Sequence, residues 1–213
     1  IVENTLIVNS YGDVNGVNRA GEIHLYDLIS GDLIASVNNP DPGADETFGR
    51  FHEVIGDTLL VTMPYGMNNG YNNSGSTYSF LYDFNGDGRV DGTPLDDIIY
   101  GSPAQNLLTG GDGADTFVFQ AATAFKAADI ITDFDALEGD ILDIRDVLGG
   151  YDALNDDIAD FVRFIPQGAG THLQVDTDGA GTGATFKTIA TLADVGDLDL
   201  ASLIADSNIL IPS

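Results

Sequence analysis

A nine-residue segment, DFNGDGRVD at residues 83–91, has the spacing of oxygen ligands around a metal ion. Its oxygen-bearing residues fall at positions 1, 3, 5 and 7, the last through a backbone carbonyl: Asp83, Asn85, Asp87 and Arg89. Gly88 at position 6 permits the sharp turn that folds these oxygens around one hard cation, typically calcium. An EF-hand is excluded, because it needs a glutamate at position 12, where the chain has Pro94. The segment is therefore either another kind of calcium loop or a solvated turn without metal.

From residue 92 the chain repeats every nine residues, in the segments 92–100, 101–109 and 110–118. Each segment begins with glycine and carries an Asp or Asn at position 6, before two mostly apolar residues: Asp97, Asn106 and Asp115. A glycine-rich turn followed by a short apolar strand, repeated at this period, is typical of a parallel β-roll that binds calcium. The third segment, GGDGADTFV, has the full glycine pattern, whereas the first two have proline in the turn. The alternative is a short solenoid that packs without metal.

Other catalytic and metal-binding patterns do not occur in the sequence. The three histidines, His24, His52 and His172, are far apart and form no HExxH motif. Neither a GxSxG elbow nor a P-loop is present, and there is no cysteine for thiolate ligands or disulfides. Asp176 and Asp178 favour a hairpin turn over a further metal site. We therefore predict that this chain is not itself an enzyme.

The composition is strongly acidic. The 213 residues include 34 acidic and 7 basic side chains, for a formal net charge of -27. This charge excludes nucleic acid and anionic membrane surfaces as partners, because both require a basic face. No apolar run approaches the roughly 18 residues that span a bilayer, so no membrane insertion is expected. The acid comprises 29 aspartates and 5 glutamates beside 26 glycines, which indicates Asp-Gly loops between short strands or, alternatively, adaptation to salt.

An internal repeat in the first 87 residues precedes these segments. Each copy of the repeat has two apolar runs, and residues 4–8 and 25–27 of the first copy match residues 57–61 and 81–83 of the second. An Asn/Gly-rich loop separates the two runs in each copy, with Asn15-Gly16 in the first and Asn69-Gly70 in the second. About 50 residues with several strands is the size of a β-propeller blade. With Phe48-Gly49 and Ile55-Gly56-Asp57, the repeat resembles FG-GAP blades, whose calcium loop ends in an acid at position 9, here Asp91. The repeat is compatible with part of a closed ring of blades and with a small open β-structure.

The rest of the chain resembles RTX (repeats-in-toxin) proteins. GGDGADTFVF and DIITDFDALEGDILDI, within residues 110–144, are similar to the end of RTX arrays, and residues 110–213 resemble the C-terminal target domain of type I secretion substrates. The resemblance implies calcium bound by position-6 side chains and by turn carbonyls: Asp97, Asp115 and Asn106, with Gly110 and Asp112. Asp129 and Asp133 either complete the last calcium site or serve in turns and caps.

Together these patterns predict a mainly β fold in three parts. We expect blade-like repeats over residues 1–91, a short calcium-binding parallel β-roll over 92–120, and a β-rich domain over 121–213 with one or two short helices. Strands or turns are predicted at 129–134 and 139–144, a short helix at 143–148, a hairpin of 171–175 with 184–192, and a last helix N-capped by Asp199.

The sequence thus predicts a calcium-binding C-terminal region of a type I secreted, extracellular or cell-surface protein. It would pass the secretion machinery unfolded and fold on external calcium, with a structural, adhesive or surface-assembly role. Its expected partners are that machinery during export, then its own copies or cell-surface and matrix components. The alternative is the non-catalytic secretion tail of an extracellular hydrolase. Because the sequence starts at Ile1 with no initiator Met, no basic region and no apolar region of a signal peptide, we expect a fragment or a processed chain, with no visible N-terminal export signal.

Overall fold

A computed structural model describes residues 3–10, 21–40, 48–63, 76–179, 181, 183 and 185–213. The chain is mainly β, with 41% of residues in strands and 7% in helices, which confirms the predicted fold class. It divides into two compact units, Ile1–Asn85 and Gly86–Ser213. In the described part, no helix is long and apolar enough to cross a membrane.

The first unit contains two groups of three antiparallel strands. The strands are β1 (Thr5–Ser10), β2 (Glu22–Asp27), β3 (Leu33–Asn38), β4 (Phe51–Ile55), β5 (Thr58–Met63) and β6 (Ser76–Tyr82). Within the unit the strands pair in chain order, as β1-β2-β3 and as β4-β5-β6. A turn at Ser30-Gly31-Asp32 joins β2 to β3, and Gly31 adopts a positive φ of 79° there. The repeat pattern does not predict β4.

The internal repeat corresponds to two long-looped hairpins, β1–β2 and β5–β6. Their loops, which contain Asn15-Gly16 and Asn69-Gly70, lie outside the described residues. The two hairpins bury opposite faces, because Val61 of β5 is fully buried while its repeat counterpart, Val8 of β1, is 38% exposed. The registers also differ by two residues, because Thr5 lies opposite Asp27 whereas its counterpart Thr58 lies opposite Leu81. Similar sequence has therefore produced two antiparallel hairpins with different register and packing.

The second unit begins with a parallel β-roll. Its strands are β7 (Arg89–Asp91), β8 (Ile98–Tyr100), β9 (Leu107–Thr109), β10 (Thr116–Val118), β11 (Asp129–Ile131) and β12 (Ile141–Asp143). Successive strands alternate between two sheets, β7-β9-β11 and β8-β10-β12, and all neighbours are parallel. The first four strands start nine residues apart, so the nine-residue period of the sequence is one half-coil.

Apolar residues at the centres of these short strands form the interior of the roll. Five of the central side chains are at most 1% exposed: Val90, Ile99, Leu108, Phe117 and Leu142. β-branched and aromatic residues such as Ile99 and Phe117 favour extended backbone and fill the space between the two sheets. Full burial of each stabilises the roll by about 1.5–3 kcal/mol. The core therefore fixes the turns, in which the acidic residues lie.

The last part of the chain extends both sheets of the roll. β13 (Val162–Gln167), β14 (Gly170–Val175) and β15 (Lys187–Leu192) are antiparallel to each other, and β15 adds in parallel to β11. β16 (Ile209–Leu210) adds in parallel to β12. Helix α1 (Leu200–Ala205) has the predicted N-cap, because the Asp199 carboxylate accepts a 2.9 Å hydrogen bond from the Ser202 N–H.

Two features of this region differ from the sequence expectation. The predicted helix at 143–148 is only a 3₁₀ turn, Asp146–Leu148, because β12 continues through Asp143. The predicted hairpin is present as β14 and β15, but it has a third strand, β13, before it. The roll and the C-terminal strands belong to one compact unit.

Candidate metal centre

The turns of the roll lie above one another in two stacks. We call stack A the turns that lead from the β7-β9-β11 sheet to the other sheet, residues 92–97, 110–115 and 132–140. Stack B contains the return turns, 101–106 and 119–128, together with Asp129, the first residue of β11. Glycine makes the close stacking possible, since a Cβ on Gly92 would overlap the carbonyl oxygen of Gly110 in the next coil. The two stacks hold most of the residues that the sequence singled out.

Aspartates at the ends of the stack A turns form a ladder of hydrogen bonds along the roll. The Asp97 N–H donates to Asp115 Oδ1 at 2.9 Å, and the Asp115 N–H donates to Asp140 Oδ1 at 3.0 Å. The carboxylates of Asp115 and Asp140 thus each accept from the preceding coil with one oxygen. The period therefore positions the carboxylates in register, one above the next.

The second carboxylate oxygen of each ladder aspartate faces its own turn. Asp97 Oδ2 accepts from the Thr93 N–H at 2.6 Å and from Thr93 Oγ1 at 2.9 Å. Asp140 Oδ2 accepts from the Asp135 N–H at 2.8 Å. Asp140 therefore has a donor on each oxygen, and Asp97 has two donors on Oδ2. Hydrogen bonds to the charged form stabilise a carboxylate that is out of contact with water.

Asp115 is the exception in the ladder. Its side chain is fully buried, and Oδ2 has no hydrogen-bond partner among the described residues. The oxygen lies against Gly110, where a Cβ would overlap it. The amides at this turn, Gly110 N–H and Gly111 N–H, donate instead to the two oxygens of Asp133, at 3.0 and 2.9 Å. A buried carboxylate oxygen without a donor costs roughly 1–3 kcal/mol or more.

The electrostatics of stack A agree with this geometry. Burial, with a smaller contribution from the negative charges of Asp140, Asp97 and Asp133, raises the pKa of Asp115 to about 6, although the hydrogen bond from the Asp97 N–H lowers it. Burial also raises the pKa of Asp140. These shifts mean that the ionised carboxylates lack compensating positive charge. A cation at this point would supply it.

Stack B is built on the same plan with less charge. The Asn106 N–H donates to Asp129 Oδ1 at 2.8 Å, and the Ser102 N–H donates to Asn106 Oδ1 at 2.5 Å. Gly101 packs against Asp129 Oδ2. Asp129 is 3% exposed, and burial raises its pKa to about 7. Because Asn106 is neutral, the pair of Asn106 and Asp129 contributes one buried carboxylate to stack B. Stack A contains several buried carboxylates.

The predicted loop at 83–91 crosses the division between the two units, which falls between Asn85 and Gly86. In the first unit Asp83 is buried, and Asn85 Nδ2 donates to Asp57 Oδ2 at 2.9 Å. In the second unit Asp87 Oδ1 accepts from the Arg89 N–H at 2.9 Å, within its own turn. The Arg89 guanidinium also pairs with Asp91 at 2.8 Å. Calcium binding by this loop stays a prediction.

The structure thus sorts the predicted ligands by stack. Stack A gathers five of them: Asp97, Gly110, Asp112, Asp115 and Asp133. Asn106 and Asp129 lie in stack B, so Asp129 and Asp133 do not complete one shared site. Asp112 is exposed at the tip of its turn. Among the described residues, no three His, Asp or Glu side chains gather closely enough to hold an ion by themselves.

Asp140 is the ladder residue that the sequence reasoning missed. It follows Asp115 by 25 residues, because the turns after β10 and β11 are longer than those before them. The signal available was local: GDILDI at residues 139–144 repeats the glycine, acid and apolar-strand order of GADTFVF at 113–119. A search for a fixed nine-residue spacing cannot find it.

Comparison with known proteins adds nothing to this assignment. No family model, no curated protein and no solved structure matches the chain. The function must therefore be inferred from the roll and its two turn stacks.

Proposed function

We propose that this chain is the calcium-binding C-terminal region of a type I secreted, RTX-type extracellular protein. It folds on calcium after export and has a structural, adhesive or surface-assembly role. The observation that carries the calcium assignment is the buried Oδ2 of Asp115, which has no hydrogen-bond partner among the described residues. The nine-residue period, which builds a parallel roll with stacked acidic turns, supports the RTX assignment.

The residues of stack A fit a calcium ion chemically. Asp115 would hold it through Oδ2, with Asp133, Asp140 and Gly110 as its neighbours in the stack. Calcium prefers carboxylate and backbone carbonyl oxygens and accepts varied geometries, which suits a stack of glycine-rich turns. When bound, it supplies the positive charge that the buried carboxylates lack.

The donor set argues against other metals. The chain has no cysteine, and His172 lies in β14 rather than in a turn of the roll. Zinc and copper sites in proteins draw mainly on sulfur and imidazole ligands. Magnesium keeps most of its water ligands and requires near-octahedral geometry, which dedicated protein cages seldom supply. Calcium is the hard cation that these oxygens favour.

Charge repulsion connects calcium binding to export. At a formal net charge of -27 the chain repels itself, and it does so most where acidic turns stack. Extracellular calcium modules bind with Kd on the order of 10⁻⁴–10⁻³ M. Such sites stay empty in a calcium-poor cytosol and fill outside the cell. At ten times Kd, each ion stabilises the folded state by roughly 1.4 kcal/mol.

Isothermal titration of the metal-free chain with calcium tests the assignment. We expect millimolar-range binding that loses at least one site in Asp115→Asn. The matched control is Asp197→Asn, which removes the same charge from an exposed aspartate outside both stacks. Equal calcium binding by the two variants would refute the role of Asp115, and no binding by the unaltered chain would refute the calcium proposal itself.

A further inference from the structure

One buried side chain ties the turn at residues 132–140 of stack A to the segment that leads into β16. Asn208 Nδ2 donates to the Ala136 carbonyl at 3.1 Å and to the Asp140 carbonyl at 2.8 Å. These two carbonyls lie 72 and 68 residues before Asn208 in the chain. Both N–H groups of the amide are used, so the side chain clamps the second half of the turn.

The backbone of Asn208 fixes the position of this clamp. Its N–H donates to the Leu203 carbonyl of α1 at 2.8 Å, and its carbonyl accepts from the Leu142 N–H of β12 at 2.9 Å. Leu203 and Ile209 are both almost fully buried. Asn208 therefore lies where α1, β12, β16 and the turn meet, and it cannot leave the turn without breaking these contacts.

The clamped turn carries two acidic residues of stack A. Asp133 accepts from the N–H groups of Gly110 and Gly111, and Asp140 Oδ1 accepts from the Asp115 N–H. The turn is longer than the other turns of stack A, 92–97 and 110–115, so it has more backbone to hold in place. The carboxylates that surround the Asp115 rung therefore depend on how this turn is held.

The segment before β16 takes the place that a further coil would have. β16 lies parallel to β12 with Ile209 opposite Leu142, so the residues before β16 lie beside the residues before β12. Asp140 donates its own N–H to the Asp135 carbonyl at 3.2 Å, within the turn, whereas Asp97 and Asp115 donate theirs to the next carboxylate of the ladder. The ladder of carboxylates thus ends at Asp140, and a neutral amide donor follows it.

We propose that Asn208 is a positioning residue for the calcium site of stack A, and that calcium binding and the docking of α1 and β16 favour each other. The inference rests on the calcium binding proposed above. Asn208 acts through the turn, which holds Asp133 and Asp140 beside the rung of Asp115. Coupling between two binding events is reciprocal. The factor by which the clamp raises the calcium affinity is therefore the factor by which calcium favours docking of the segment.

Isothermal calcium titration of Asn208→Leu tests this role, with Thr171→Val as the matched control. Thr171 is also buried in the second unit, and its hydroxyl lies within hydrogen-bond distance of two carbonyls, those of Val195 and Gly196, at 3.1 and 2.7 Å. It lies in β14, outside both stacks. Each substitution replaces a buried donor by an apolar side chain of similar size. We expect Asn208→Leu to bind calcium about tenfold more weakly and Thr171→Val to keep its affinity.

Hydrogen exchange of the unaltered chain supplies a second readout, which decides the matter if Asn208→Leu does not fold. The Asn208 N–H donates to Leu203 and the Ile144 N–H donates to Leu210, so both report on docking of the segment. Between calcium at about Kd and at about ten times Kd, we expect both amides to exchange about fivefold more slowly. That factor is the increase in stability of the calcium-bound state over the same range.

The outcomes separate this inference from the calcium proposal. If the unaltered chain binds no calcium, the proposed function fails and the inference fails with it. If the unaltered chain binds calcium but Asn208→Leu binds it equally well, the positioning role is refuted and calcium binding stands. An equal loss of affinity in both variants would show a general effect of stability and would also refute the role, as would exchange of Asn208 and Ile144 that calcium leaves unchanged.

Discussion

Replacing Asp115 by asparagine should stabilise the metal-free chain and remove the calcium response of this site. Asparagine keeps the shape of the side chain and the acceptor for the Asp97 N–H, which lies 2.9 Å from Asp115 Oδ1. It removes the negative charge and places an amide group near the position of the unpartnered Oδ2. The variant therefore tests the effect of the negative charge while the hydrogen bond of residue 115 in the ladder is kept.

The magnitude follows from the pKa of Asp115, which is raised from 3.8 to about 6 in the folded chain. That difference corresponds to about 3 kcal/mol of unfavourable free energy for the ionised carboxylate above pH 6. At about pH 8 in EDTA, Asp115→Asn should therefore unfold with a free energy about 1–3 kcal/mol higher than the unaltered chain. In calcium at about ten times Kd, the unaltered chain gains roughly 1.4 kcal/mol at this site, and the variant does not.

Urea unfolding of both chains, in EDTA and in about 10 mM calcium, measures the four free energies. Asp197→Asn is the control for the loss of one negative charge, because Asp197 is exposed and outside the stacks. The reasoning is refuted if Asp115→Asn is destabilised in EDTA and keeps the full calcium response. That result would make Asp115 a purely structural member of the ladder.

Three further predictions concern other parts of the fold. The pKa of Asp129 is raised to about 7 in the folded state. Between about pH 4 and 7 the folded state therefore binds more protons than the unfolded state. The stability of the metal-free chain falls as pH rises through that window. Urea unfolding in EDTA at about pH 5 and pH 8 should reveal a fall that is smaller in Asp129→Asn, and identical pH dependences would contradict this. Gly92→Ala should destabilise the roll by several kcal/mol, because its Cβ would overlap the carbonyl of the next coil, whereas Gly149→Ala has open space and should be nearly neutral in thermal unfolding. Asp199→Ala should cost about 1 kcal/mol through loss of the α1 cap, and an unchanged melting temperature would show that the cap contributes nothing.

The sequence predicts the roll well because its period is local. The first four strands, from β7 to β10, begin nine residues apart, and the glycine, acid and apolar order repeats with them. The period fails at β11 and β12, where longer turns place Asp140 25 residues after Asp115. The hydrogen bonds from backbone N–H to aspartate continue between the coils there, through Asp129 at the start of β11 and Asp140 before β12.

The unpartnered oxygen of Asp115 is not readable from the sequence. Its environment depends on which amides of the glycine turn are already used, and those of Gly110 and Gly111 are used by Asp133. The long-looped hairpins of the first unit illustrate the same limit. The repeat indicates their short apolar strands, but it does not indicate that Val61 is buried while its counterpart Val8 is 38% exposed.

Thermal unfolding followed by circular dichroism tests the central claim most directly, in EDTA and then over a calcium titration to about 10 mM. The account predicts weak β-structure and an early transition in EDTA, with a gain of β-structure and a rise of many degrees at millimolar calcium. A metal-free chain that is fully folded and equally heat-stable would contradict it, and would leave the acidic turns without a role in folding.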